Sequence, residues 1–205
     1  MRIIVVGATG TLGSAIAGAL EQRHEILRAA RRSALPVDLD DPSTLDALFA
    51  QVSDVDAVVC CAASGPLLQL DAATDEQFAE GLRGKLLGQV ALTRRAIRYL
   101  RDAGSITLTG GTFASPLAGG SLGALVNAGV AGFVRNAAAE LPRGLRINLV
   151  APGWIQETLV AMGEDGAAGT PAAEVARAYV SLIEGKDSGK IVVPGSELKS
   201  PAQHL

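Results

Sequence analysis

The sequence predicts a single α/β domain in which one doubly wound parallel sheet carries helices on both faces. Three observations lead there. Short, uninterrupted aliphatic runs alternate with helix-period segments along the chain. Aromatic residues make up 3% of the composition against 24 glycines, so the core must be built from small aliphatics with closely packed backbones. The first aliphatic run also breaks directly into GATGTLG, a glycine-rich turn that opens a helix. A length of 205 residues suits one domain, with 48% hydrophobic and 19% charged residues excluding a disordered chain.

The elements follow in order. Residues 2–6 are aliphatic without a break, as in a strand buried on both faces. Helical periodicity covers 11–22, and 25–30 is a second strand. Ser43, behind Pro42, is the expected cap of a helix over 43–52, and 56–61 is a third buried strand. A long helical pattern runs from 74 to about 101, loosened by Gly81, Gly84 and Gly88. A strand over 105–109, a helix over 121–141 ended by Pro142, and a strand over 145–150 come next. Thr170, Pro171 and Glu174 read as cap, first turn and capping-box partner of a helix reaching Glu184. A short strand at 191–193 completes a sheet expected to hold about seven strands.

Several classes are set aside by composition. The net charge of −3 argues against a nucleic-acid surface. The cluster of Arg94, Arg95, Arg98 and Arg101 has the spacing of a solvated helix face. The opening MRIIVVGATG enters a strand at once, so no signal peptide is expected, and no apolar segment has the length of a membrane helix. Cys60 and Cys61 are adjacent, which offers neither a disulfide framework nor a metal site; they read as small buried hydrophobes in a reducing, cytoplasmic setting.

The glycine-rich turn carries the chemical expectation. Gly7 permits the tight turn, Gly10 the close approach of a pyrophosphate, and Gly13 the packing of helix on sheet. With Thr9, Thr11 and Leu12 they form the expected phosphate cradle, where helix N–H groups and the positive dipole end face the anion. The alternative is an ordinary turn with incidental glycines. An NAD site would place a carboxylate about 20 residues further on. The second strand instead ends LRAARRSAL, so NADP(H) is favoured over NAD(H), with Arg31 as first clamp for a 2′-phosphate and Arg32 as second. A solvated basic turn is the competing reading. Asp38 is placed to accept from the adenine amino group.

GATGTLG, DAVVCCAA, NAGVAGFVRNAAAEL and RINLVAPG together, in this order, resemble the short-chain dehydrogenase/reductase family over nearly the whole length. The resemblance implies a Rossmann fold, a nicotinamide cofactor and a homodimer or homotetramer built on the long middle helices. It places Cys61, where the family has a cofactor-lining asparagine, with Ala62 and Ala63 beside the cofactor, and Asn127, Pro152, Gly153 and Ile155 along its nicotinamide half. Trp154 is a candidate cover for that pocket, and the lid before Thr170 looks reduced. The family's threonine in this loop falls on Glu157, or on Thr158 if one residue is inserted.

The same resemblance leaves the catalytic positions empty of their usual residues. The family's tyrosine and lysine fall on Gly123 and Asn127, its serine at or beside Gly110, within TLTGGT, and its helix asparagine on Lys85. Tyr99 and Tyr179, the only tyrosines, lie in other segments. The pattern is similar to a small bacterial group that keeps the glycine-rich turn and lacks the active-site residues. Lys85, reaching into the space left at Gly123, with Thr112 and Ser121, are the candidate substitutes; each also has a structural reading as a surface lysine or a locally bonded hydroxyl. Gly123, Gly129 and Gly132 each cost roughly 0.5–1 kcal/mol against alanine in a helix, which calls for close backbone contact with cofactor or partner helix, and the small residues through Ala139 fit such an interface. The expectation is an NADP(H)-binding oxidoreductase-like protein with an unorthodox site. The alternatives are a non-catalytic NADP(H) sensor or scaffold, and a vestigial site.

Overall fold

The structure, a computed structural model, describes residues 1–62, 65 and 67–195. The described chain forms β1 (Arg2–Val6), α1 (Thr11–Leu20), β2 (Glu25–Ala29), α2 (Pro42–Gln51), β3 (Val55–Cys60) and α3 (Asp75–Leu82). A π-helical turn (Arg83–Gly88) leads into α4 (Gln89–Tyr99), followed by β4 (Leu100–Thr109), α5 (Ser121–Glu140) and β5 (Arg146–Val150). α6 (Gln156–Ala161), a 3₁₀ turn (Gly166–Ala168), α7 (Ala172–Glu184) and β6 (Ile191–Val192) complete it.

The strands pair in parallel in the order β2-β1-β3-β4-β5-β6. Alternate residues of each strand point to opposite faces. Ile4, Val6, Val58, Ile106 and Ile147 therefore pack beneath α2, α4 and α5 through Leu48, Leu92 and Val134. Ile3, Val5, Val59 and Val150 meet α1 and α7 on the other face through Ile16, Val175 and Tyr179. Both faces of the sheet are covered, which is why its strands read as continuous aliphatic runs. The chain reverses its direction of travel across the sheet between β1 and β3, and there the crevice beyond the strands' carboxyl ends opens.

Four details differ from expectation. The sheet has six strands, not seven. Beyond β2 the described chain adds only a single bridge, between Ala29 and Leu35. Pro36 has no N–H to donate there. The Ser33 hydroxyl takes up neighbouring backbone groups instead, accepting from Ala30 N (2.9 Å) and lying 2.9 Å from Leu35 O. The segment over 74–101 is α3, a π turn and α4, and β4 begins at Leu100, five residues before the expected start. Asp41 rather than Ser43 caps α2, its side chain accepting from Ser43 N. At α7 the expected capping box is absent: Pro171 is the cap residue, and the Glu157 carboxylate reaches across to accept from Ala172 N at 2.9 Å. Thr74, with Gln77, does form a capping box on α3.

Candidate functional site

A cleft of about 930 Å³ lies across the carboxyl ends of β1 to β5. Its floor begins at the glycine-rich turn. Gly7 has φ +87°, and a Cβ there would lie 2.7 Å from Ala62 N; a Cβ on Gly13 would strike the Gly7 carbonyl. Both positions need glycine for packing, whereas a Cβ on Gly10 would meet only the Gly7 carbonyl at 3.5 Å. Helix α1 starts at Gly10 with no side-chain cap. The first helical bond in this turn runs from Ser14 N to Gly10 O, so the N–H groups of Thr11, Leu12 and Gly13 find no acceptor among the described residues. Uncapped donors at the positive end of a ten-residue helix, opening on a cleft, form an anion-ready surface.

The structure places Gly7, Thr9, Gly10, Thr11, Leu12, Gly13, Arg31, Arg32, Asp38, Cys61, Ala62, Asn127, Pro152, Gly153 and Ile155 along this one cleft. Ala63 lies outside the described residues. Arg31 and Arg32 are exposed on the turn after β2 and form no ion pair or side-chain hydrogen bond among the described residues. The Asp38 carboxylate accepts from Asp40 N at 3.1 Å. Cys61 donates its thiol to Val6 O, and burial pushes its pKa to about 12, so it is a wall residue rather than a nucleophile. Asn127 carries a buried Oδ1 with no partner among the described residues; such an atom is costly unless a ligand or water bonds it. Thr158, not Glu157, lines the cleft.

Of the candidate substitutes for the usual acid, Lys85 and Thr112 line the cleft, while Ser121 opens α5 at the surface and does not. The room at Gly123 is already taken. A Cβ there would lie 3.0 Å from Phe113 Cζ, so an aromatic ring, not Lys85, fills the space beside this glycine. Gly129 likewise receives the chain's own Leu86 side chain (3.1 Å), and only Gly132 faces open space. Lys85 is half-buried on the π turn, its ammonium forming no hydrogen bond or ion pair among the described residues, and desolvation lowers its pKa.

What holds Lys85 at the cleft was not anticipated. Gln89, fully buried, bonds both backbone groups of Thr109 at the tip of β4: Oε1 accepts from Thr109 N and Nε2 donates to Thr109 O, each at 2.9 Å. The same Nε2 donates to Lys85 O at 2.6 Å, satisfying a carbonyl within the π turn. On the other side, Thr109 Oγ1 donates to Cys60 O (2.5 Å) and pairs with the buried Tyr179 hydroxyl at 2.5 Å. Burial raises the Tyr179 pKa well above its usual value, and Tyr179 does not line the cleft. Tyr99 stacks on Phe49 with ring centroids 5.0 Å apart. The signal for Gln89 was its place in the apolar stripe Gln89, Leu92, Ala96, where a polar residue must find partners.

Among the described residues no group of three or more His, Cys, Asp or Glu could hold a metal ion, and no helix formed by them is long and apolar enough to cross a membrane. Trp154, 41% exposed, lines the cleft, its carbonyl accepting from Thr170 N at 2.8 Å.

The family model described as enoyl-(acyl carrier protein) reductase matches residues 9–193. The protein lin1944 from Listeria innocua superposes with a TM-score of 0.89 at 36% identity, covering 94% of this chain and 98% of its own. A small-chain dehydrogenase in complex with NADPH (TM-score 0.82, 23% identity, 94% and 95% coverage) and a Burkholderia cenocepacia J2315 short-chain dehydrogenase in complex with NADP (0.81, 22%, 94% and 95%) share the fold. Among curated proteins none matches. A family model spanning nearly the full chain, over a crevice at the sheet's switch point, shows that this chain belongs to the short-chain dehydrogenase/reductase family.

Proposed function

We propose that the chain is an NADP(H)-binding oxidoreductase whose proton-donor positions have been remodelled, with Gly110, Gly123, Asn127 and Lys85 standing where the family has its catalytic residues. The observation that carries this reading is the uncapped α1 terminus facing the cleft, with Arg31 and Arg32 lining it and unpaired among the described residues. The donors of Thr11 to Gly13 would hold the diphosphate, and Arg31, then Arg32, a 2′-phosphate. Cys61, Ala62, Asn127, Pro152, Gly153 and Ile155 would flank the rest, with the Asn127 Oδ1 gaining a donor. The dinucleotide supplies a hydride when bound. Lys85 is the proton-donor candidate in this cleft, since desolvation lowers its pKa and makes its ammonium a readier acid. Association into a homodimer through the open α5 face at Gly132, in a reducing cytoplasm, belongs to the same reading.

The test is a titration of NADP⁺ and NAD⁺ by calorimetry, repeated with Arg31→Ala. The reading requires NADP⁺ to bind at least tenfold more tightly than NAD⁺, and Arg31→Ala to remove about tenfold of that, the worth of one charge-assisted contact. Equal affinities, or no binding, refute it. The absence of tyrosine from the cleft favours a second reading, a non-catalytic sensor; tight NADPH binding without turnover against aldehydes, ketones and quinones selects it.

A further inference from the structure

The chain places two of its few aromatic side chains, Phe113 and its single tryptophan Trp154, on the walls of the same cleft as Lys85. Trp154 is 41% exposed there, and Leu67, at 52%, lines the same mouth. Exposed large apolar groups gathered at a concave surface mark a place where an apolar body binds. The Phe113 ring lies against Gly123, and the Trp154 backbone is anchored by the bond from Thr170 N, which sets where its side chain leaves the chain.

Lys85 adds a charge to this apolar end. Its backbone is pinned to the β4 tip through Gln89, and its ammonium is half-buried without a partner among the described residues. Asp40, which packs on Gly84 one residue away, makes no ion pair with it. The cleft's arginines, Arg31 and Arg32, belong to the turn after β2, with β1 and β3 lying between β2 and β4. A desolvated cation without a counter-ion is destabilising, and a bound anion offsets that penalty. One ammonium, with no arginine fork beside it, suits a single carboxylate better than a phosphate dianion.

We infer that the outer end of the cleft takes an apolar carboxylate, its flat hydrocarbon body between Phe113 and Trp154 and its carboxylate on Lys85. This rests on the dinucleotide occupying the remainder of the cleft, as proposed above. Calorimetric titration of the protein saturated with NADP⁺ compares cinnamate, cinnamyl alcohol and acetate, with Trp154 emission as the readout of site. Cinnamate binds at least tenfold more tightly than either of the others and quenches Trp154 with the same dissociation constant. Lys85→Met brings cinnamate to the level of cinnamyl alcohol; Trp154→Ala, a substitution at an exposed residue, weakens both aromatic probes alike. Cinnamate no tighter than cinnamyl alcohol, or unaffected by Lys85→Met, overturns the inference. A heat of NADP⁺ binding on the same sample, with none for cinnamate, overturns the carboxylate site alone, whereas absence of both removes the cofactor proposal with it.

Discussion

Replacing Gln89 by methionine keeps the volume of a fully buried side chain while deleting its amide, and the structure states what is left behind. Thr109 N loses the acceptor Oε1, and the carbonyls of Thr109 and Lys85 lose the donor Nε2. Each unsatisfied buried group costs about 1–3 kcal/mol, with carbonyls toward the lower end. Two buried groups of Thr109 and the part-buried Lys85 carbonyl, less the gain from burying a thioether in place of an amide, give a loss of about 3 kcal/mol. In urea, with m near 2–3 kcal/mol per molar, the midpoint falls by about 1–1.5 M at unchanged slope. The assay is equilibrium denaturation followed by circular dichroism. A loss below about 1 kcal/mol would show that water or a rearranged turn satisfies those groups, and that Gln89 does not hold the π turn to the sheet.

Two smaller perturbations examine other parts of the same framework. Tyr179→Phe removes a hydroxyl bonded at 2.5 Å to Thr109 Oγ1, which keeps its bond to Cys60 O; a loss of about 1 kcal/mol, or 2–4 °C in Tm, is expected by thermal melting, and no change refutes the bond's contribution. Glu184 pairs with His24 at 2.9 Å and Arg23 at 3.1 Å, tying α7 to the end of α1, and the His24 bond foremost lowers its pKa. A depressed carboxyl stabilises the fold above its unfolded pKa and loses that contribution as pH falls through the folded value. Glu184→Gln therefore melts below wild type at pH 6–7, and the two curves converge toward pH 3; a constant gap across that range refutes the assignment.

Much of the fold is legible along the chain because it is set by local pattern. The aliphatic runs at Ile3–Val6 and Val58–Cys60 announce strands covered on both sides, and the spacing of Leu92 and Ala96 announces a buried helix face. The turn from Gly7 to Gly13 is equally explicit, since the positive φ at Gly7 and the contact of Gly13 with the Gly7 carbonyl admit no side chain. Where expectation failed, the deciding partner came from a distant segment. Glu157 caps a helix beginning at Ala172. Phe113 fills the space at Gly123, and Gln89 bonds a strand tip twenty residues away.

By itself, then, the sequence determined the order of strands and helices, the covered sheet, the glycine turn and the basic residues after β2, because periodicity and glycine sterics act over a few neighbouring residues. Tertiary structure alone decided that the sheet stops at six strands, that a π turn delivers Lys85 to the cleft, and that aromatic rings line its outer end. Those outcomes depend on which buried donor meets which acceptor, and which side chain fills which gap. Only the assembled sheet and helices fix these pairings, since burial makes every unpaired group and every void costly.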